Sequence, residues 1–246
     1  MHGLGNDFVI IDRRVSDVVL TKQAIVNITN RKTGIGCDQL IMIDHCDIAD
    51  CRMEIYNQDA SIAEACGNAT RCVAWLCKTK SIETRAGILT TEVLSDDKVK
   101  VSMGKPIFHQ HKMDDSLGDN LINMVYLSIG NPHLIFIVKD LEKIDLVKIG
   151  TDANRDPYYP NGVNVSVVCV INDHHIKLKT FERGVGLTLS CGSGACASFV
   201  ACSINNMVSD YAITSQEGGD LEIWWKDNED IYMSGPVSYV YKGEII

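Results

Sequence analysis

Two short stretches place a cysteine and small residues at the start of an apolar segment: Cys66-Gly67-Asn68-Ala69 and Cys191-Gly192-Ser193-Gly194. At a helix start, free backbone N–H groups and the positive end of the helix dipole favour a thiolate. An ordinary cysteine titrates near ~8.5, so lowering it to about 7 raises the thiolate share at neutral pH from a few per cent to roughly half. One activated thiol suggests a nucleophile. Two equivalent ones suggest a thiolate that removes a proton from a carbon and a thiol that returns one to the opposite face. That inverts a stereocentre, and the two roles exchange with the direction of reaction. Two close thiols also titrate as a pair, so the singly deprotonated state is populated near neutrality. Cys37, Cys46, Cys51, Cys72, Cys77, Cys169, Cys196 and Cys202 read instead as small, mostly buried side chains.

The two cysteines lie 125 residues apart, and the same offset brings other polar positions into register. Gly5-Asn6 maps onto Gly130-Asn131, Gln39 onto Asn164, Asn57 onto Glu182, and Gly67-Asn68 onto Gly192-Ser193. The apolar frames agree as well, with Phe8-Val9-Ile10-Ile11 over His133-Leu134-Ile135-Phe136. Later the spacing drifts, as Val101-Ser102-Met103-Gly104 against Tyr232-Met233-Ser234-Gly235. Amide, acid and thiol positions sharing one offset point to two homologous halves. These are expected at 1–115 and 116–246, joined by the polar stretch His109 to Asn120, with the last strand a candidate to cross back to the first half.

Asn6, Gln39, Asn57, Asn131 and Asn164 offer fixed dipoles that recognise ammonium and carboxylate without adding charge. Singly, each asparagine is a turn former; as a doubled set they read as a site. Gly34-Ile35-Gly36 and the two Cys-Gly segments offer N–H groups to an anion, although ordinary turn chemistry explains the first equally well. There is no P-loop and no dinucleotide fingerprint, and a helix N-terminus binds a carboxylate as readily as a phosphate. In a cleft, Glu182 would accept from an ammonium and Arg183 would clamp a carboxylate; exposed, they would be a weak ion pair. His133 stands near a repeat position and is a candidate to tune the thiols, whereas His109, His111, His174 and His175 read as solvated loop residues.

Short strands are expected at 7–12, 39–43, 52–57, 88–94 and 97–103, then at 124–128, 134–139, 165–171, 175–182, 221–225 and 230–233. Each half has one clear helix after its Cys-Gly pair, at 70–78 and 194–204. The second is apolar or small nearly all round and so belongs in a core. The fold class expected is α+β: a curled, mainly antiparallel sheet wrapped around a central apolar helix, made twice with pseudo-symmetry.

A chain of 246 residues has room for one large domain or two smaller ones. Its 23 Lys and Arg against 32 Asp and Glu give a net charge of −9, which argues against a nucleic-acid or anionic-membrane surface. The best apolar run, Leu134 to Val138, is strand-sized, against the roughly 18 residues a spanning helix needs. No Cys-x-x-Cys or Cys/His spacing suits a structural zinc, so no metal is expected. The opening Met-His-Gly-Leu-Gly-Asn-Asp lacks the basic start and apolar stretch of an export signal, so reduced thiols and a cytoplasmic location are expected.

In order along nearly the whole chain, Met1 to Phe8, Gly34 to Gln39, Asn57, Cys66 to Cys72, Gly130 to His133, Asn164-Val165, Glu182 to Gly186 and Cys191 to Cys196 resemble the diaminopimelate epimerase family. The resemblance implies a cofactor-independent epimerase interconverting LL- and meso-2,6-diaminopimelate, on the way to lysine and peptidoglycan, with Cys66 and Cys191 as acid and base. It implies substrate contacts at Asn6, Gln39, Asn57, Gly67, Asn68, Asn131, Asn164, Glu182, Arg183, Gly192 and Ser193. It further implies that His133 and Glu182 influence the thiols, and that Tyr241 lies in the interface of a homodimer. The sequence departs from the family pattern where Ala60 and Ala69 replace glycines and where Ile62 and Leu187 replace glutamates. An alanine at a turn position needing positive φ costs on the order of 1 kcal/mol. None of the four is a contact residue, so activity is expected. The competing readings are a proline-racemase-type enzyme of the same fold, a cysteine hydrolase pairing Cys191 with His133, and a non-catalytic anion-binding module.

Overall fold

The structure, a computed structural model, describes residues 1–110 and 117–244. Half of the polar stretch expected to be a linker, His111 included, lies outside the described residues; its flanks are a short strand and a 3-10 turn at Gly118–Asn120. By its contacts the chain divides into two compact units, Met1–Val101 with Gly235–Ile246, and Ser102–Ser234.

The first unit runs β1 (His2–Gly3), β2 (Asn6–Asp12), α1 (Lys22–Thr29), β3 (Gln39–Asp44), β4 (Cys51–Asn57), β5 (Ile62–Ala63), α2 (Gly67–Cys77), β6 (Ser81–Thr84), β7 (Gly87–Val93) and β8 (Lys98–Ser102). Most neighbours pair antiparallel, but β2 with β3 and β4 with β6 are parallel. Parallel neighbours cannot be joined by a tight hairpin and need a crossover. Here α1 and α2 supply the two crossovers. Leu40 to Ile43 on β3 are buried, so the strand is a continuous apolar run rather than an alternating one. The C-terminal segment belongs to this unit: Ser238 and His2 exchange two backbone hydrogen bonds, of 2.9 and 3.0 Å.

The second unit repeats the plan with β9 (Ile107–His109), β10 (Leu121–Ile129), β11 (Asn131–Val138), α3 (Leu146–Arg155), β12 (Asn164–Asn172), β13 (His175–Glu182), β14 (Gly186–Thr188), α4 (Gly192–Ile204), β15 (Tyr211–Gln216), β16 (Gly219–Trp224) and β17 (Tyr232–Pro236). The strand registers carry the repeat. Phe8 pairs with Gln39 as His133 pairs with Asn164, and Ile55 with Ala63 as Thr180 with Thr188, each pair related by 125. Beyond the second helix the offset becomes 132, as in Ser81 with Thr90 against Ile213 with Glu222. The drift therefore arises between α2 or α4 and the strand that follows, and it sets Val101 against Met233, one residue beyond the Tyr232 expected from the sequence.

Three expectations need correcting. Each half has two helices, not one. α1 and α3 leave little apolar signal in the sequence because each is short and buries few residues, Ile25 and Thr29 in one, Leu146 and Gly150 in the other. Their caps were visible: Thr21 accepts from the Ala24 N–H and Asp145 from the Lys148 N–H. On α3, Gly150 lets the helix close on Phe181, whose Cγ would stand 2.3 Å from an added Cβ. Second, the cysteine-capped helices begin earlier than expected, at Gly67 and Gly192, and six short strands (β1, β5, β6, β9, β14 and β15) had no clear apolar pattern. Third, His109 and His175 are strand residues bonded to Ser128 and Ser215 rather than loop residues.

The cysteine-capped helices are the buried centres of their units. In α2, Gly67 to Ala74 are buried, and in α4 the run Gly194 to Cys202 is buried. Among the described residues no helix is long and apolar enough to cross a membrane.

Candidate active site

In the first unit Cys66 is the N-cap of α2, with extended φ −148° and ψ 107°. Its thiol reaches Asn6 Oδ1 at 3.5 Å, and Asn68 Nδ2 donates to the same oxygen at 3.3 Å. Asn68 is oriented in turn by Arg71, fully buried one turn further along, which donates to Asn68 Oδ1 at 2.9 Å. The other end of Asn6 donates to Asp38 Oδ2 at 2.9 Å. Asp38 and Asp7 are held together by Arg31, 2.7 Å from each. Burial pushes the Asp7 carboxyl upward, but hydrogen bonds from Arg31 and the Asp38 N–H, with the Arg31 charge, outweigh it and hold it below the ordinary range. Asn6 is thus fixed at both ends.

On the adjacent strands Gln39 and Asn57 are register partners, and Gln39 Nε2 donates to Asn57 Oδ1 at 3.0 Å. Asn57 donates onward to Ser61 Oγ at 3.0 Å. The buried Gln39 Oε1 has no hydrogen-bond partner, so this pair keeps one acceptor unused.

In the second unit Cys191 caps α4 with similar dihedrals, φ −125° and ψ 109°. Here the sulfur does bond to the helix, accepting the Gly194 N–H at 3.3 Å, and Ser193 Oγ lies 3.7 Å away. Gln216 takes the Cys191 N–H at 2.8 Å. Cys191 is buried, whereas Cys66 is partly exposed. Gly67 and Gly192 are the first residues of their helices, where the N–H groups have no intrahelical acceptor.

His133 Nε2 pairs with Asn131 Oδ1 at 2.8 Å, while Nδ1 is buried with no hydrogen-bond partner. Complete burial, aided by the Arg183 charge, pushes this imidazole down to about 3. It is therefore a neutral donor that orients Asn131. Asn164 donates to Pro132 O at 3.1 Å and accepts the Arg183 N–H at 2.9 Å. Glu182 accepts from Thr188 Oγ1 at 2.7 Å, and the Arg183 guanidinium donates to Asn161 O at 2.8 Å. Tyr241 is exposed in the C-terminal segment.

Sequence reasoning did not single out Asp7, Asp38, Arg31, Arg71, Thr188 or Gln216. Most bond to residues distant in sequence, which only the fold brings near. The departures sort themselves physically. Ala60 does take a left-handed conformation, φ 61°, in a buried position. Ala69 does not: it lies within α2, so its effect is steric. Ile62 and Leu187 are exposed at 38% and 58%, which makes loss of an acid there a surface change. Among the described residues no three metal-ligating side chains converge.

The sequence profile of the family described as diaminopimelate epimerase matches residues 1–109 and 125–240. A diaminopimelate epimerase from Sphingopyxis alaskensis is 40% identical over 255 residues, covering 99% of this chain and 95% of the relative. The chain belongs to the diaminopimelate epimerase family. Another relative in that family, from Zymomonas mobilis, is also 40% identical, over 99% of this chain and 95% of its own length. Solved structures share the fold at low identity. A PhzF-family phenazine biosynthesis protein from Bacillus anthracis superposes with a TM-score of 0.74 at 18% identity, covering 100% of this chain and 95% of its own. A hydroxyproline epimerase from Agrobacterium vitis gives 0.70 at 13%, over 97% and 89%. The epimerase-family fold is therefore the α+β architecture described above.

Proposed function

We propose that this chain is a cofactor-independent isomerase that interconverts LL- and meso-2,6-diaminopimelate by a two-base proton transfer, with Cys66 and Cys191 as the acid and base. The observation that carries the reading is that both cysteines cap the buried crossover helix of their repeat at equivalent positions, in a chain of this family. In each direction one sulfur, as thiolate, removes the α-proton, and the other, as thiol, delivers a proton to the opposite face.

Without an electron sink the carbanion must be stabilised through the adjacent carboxylate. The first-turn N–H groups of α2 and α4 are suited to that, being fixed donors at the positive ends of helix dipoles. General acid–base catalysis contributes about 10² to 10⁴ in rate, and exclusion of water strengthens the rest. Asn6, Gln39, Asn57, Asn68, Asn131 and Asn164 would recognise the amino-acid ends of the substrate, with Glu182 on an ammonium and Arg183 on a carboxylate. His133, being neutral, would act by orienting Asn131 rather than by its charge. The hydrolase reading has little support, because an imidazole pushed down to about 3 and bonded to Asn131 is a poor base for Cys191. We further read the protein as a cytoplasmic homodimer with Tyr241 at the interface. Ten free cysteines suit a reducing compartment, and Tyr239, Val240 and Tyr241 form an exposed apolar strip.

The test is to incubate the reduced protein with LL-diaminopimelate in D₂O without pyridoxal phosphate and follow α-carbon deuterium and stereoisomer together. Deuterium entering along with meso product is expected. Binding without exchange or inversion overturns the reading.

A further inference from the structure

At the far end of α2 from Cys66 lies a second arrangement of sulfur and charge that the epimerase reading leaves unused. Cys77, the last residue of α2, is half-buried, and Arg14 Nη2 donates to its sulfur at 3.0 Å. Cys51, the first residue of β4, is fully buried and hydrogen-bonds through its side chain to Cys77. Arg14 is held by Asp12, with Nη2 2.8 Å from Oδ2 and Nε 2.9 Å from Oδ1. All four side chains belong to the first unit.

We propose that Cys77 and Cys51 form a hydroperoxide-reactive thiol pair, in which Arg14 holds the attacking sulfur of Cys77 and Cys51 resolves it to a disulfide.

The two sulfurs have opposite tasks, and their surroundings separate them. The hydrogen bond from Cys51 and the charge and N–H of Arg14 bring Cys77 down to about 7, against burial and the Asp12 carboxylate. The same hydrogen bond, with burial, pushes Cys51 upward, so the shared proton stays on Cys51. The negative end of the α2 dipole, about half a unit charge, disfavours the thiolate but is outweighed by a full guanidinium charge in hydrogen-bond contact.

In the first step the Cys77 thiolate attacks the distal oxygen of a hydroperoxide. An S–O bond forms, the O–O bond breaks, and the alkoxide or hydroxide leaves and takes a proton from solvent. Sulfur is oxidised by two electrons and the peroxide reduced by two. The Cys51 sulfur then attacks the sulfenic sulfur: the S–S bond forms, the S–O bond breaks, and the hydroxyl leaves as water with the Cys51 proton. The product ties the first residue of β4 to the last residue of α2. The opposite ends of those elements carry Asn57 and the N-cap Cys66.

The experiment treats the full-length reduced protein with stoichiometric hydrogen peroxide, blocks remaining thiols with N-ethylmaleimide, and maps the cysteines by peptide mass spectrometry. A peptide pair joined through Cys51 and Cys77 is expected, and in Cys51→Ser a dimedone-trapped sulfenate at Cys77 instead. Iodoacetamide at pH 7 should modify Cys77 several-fold faster than a thiol titrating near ~8.5 or above, and Arg14→Gln should remove most of that advantage. Cys77 left as a free thiol while other cysteines oxidise, or joined to a cysteine other than Cys51, overturns the proposal. So does a wild-type alkylation profile at Cys77 whose midpoint is that of an ordinary thiol.

Discussion

Cys66 and Cys191 occupy the same place in two copies of one plan, yet their sulfurs are held differently. Cys191 is buried and accepts a backbone N–H from its own helix at 3.3 Å; Cys66 is partly exposed, makes no cap bond, and reaches Asn6 Oδ1 at 3.5 Å. The two helices also differ at their third position. At Gly194 an added Cβ would stand 3.2 Å from Cys191 Sγ, tighter than ordinary contact. The equivalent residue in the first unit is Ala69, which carries that Cβ and is buried. The two caps thus differ by a methyl at the position that lies beside the capping sulfur in the second unit. Donation from an N–H favours the anion, so two thiols at equivalent places in a duplicated fold need not be held alike.

The largest effect expected is that of removing either thiol. Cys66→Ala and Cys191→Ala should each lower epimerisation by about 10² to 10⁴, read as meso product formed from LL substrate. Full turnover in either variant would falsify the two-base assignment. Exchanging the methyl sharpens the comparison. Gly194→Ala should crowd Cys191 Sγ and lower turnover, while Ala69→Gly should let Cys66 cap its helix. The Ala69→Gly protein should then show several-fold faster alkylation of Cys66 at neutral pH, with a helix cost of up to about 1 kcal/mol. Unchanged alkylation of Cys66 would show that Ala69 does not control it.

A second contrast between the units lies one strand away, where Phe8 and His133 are equivalent. The folded protein holds His133 neutral, at about 3 against an ordinary 6.5, so below the ordinary value the unfolded chain binds more protons. The contribution is complete above about pH 6.5 and is lost as pH falls toward 3, at up to about 1.4 kcal/mol per pH unit. From pH 6.5 to 5 this group should remove about 2 kcal/mol of stability. His133→Phe, which copies the first unit, should lose less over that range, as measured by urea midpoints. Equal acid sensitivity in the two proteins would show that His133 titrates normally.

The smallest effect belongs to Ala60. Relief of its positive φ is worth about 1 kcal/mol. Loss of a buried methyl beside Ile25, Leu40 and Met42 opposes it by about 0.8 kcal/mol, and the freer unfolded glycine opposes it further. Ala60→Gly should therefore change stability by less than about 1 kcal/mol in either direction, a shift of a few degrees in Tm at most.

Much of this site was legible because its chemistry is written in register. The 125-residue offset marked Gln39 with Asn164 and Asn57 with Glu182, and the strand registers place both sets alike. The small, apolar helix after Cys191 announced its burial. Arg71 is fully buried and orients Asn68. Its role depends on a tertiary environment that helical periodicity does not describe. The same holds for α1 and α3: their necessity follows from parallel neighbours in the sheet, and strand direction is not a property of a local segment.

By itself the sequence determined the duplication, the two cysteine-capped helices, and the polar residue types that surround them, because those are matters of identity and spacing along one chain. The tertiary structure decided which groups meet. It joined Arg31 to two carboxylates, buried His133 until it lost its charge, and set Arg14 and Cys51 against Cys77 across the first unit. It also made Ala69 a steric matter and Ala60 a conformational one, although both stand where the family pattern has glycine. Hydrogen-bond distance, desolvation and contact act through space, and residues tens of positions apart become neighbours only once the sheet has closed around its helix.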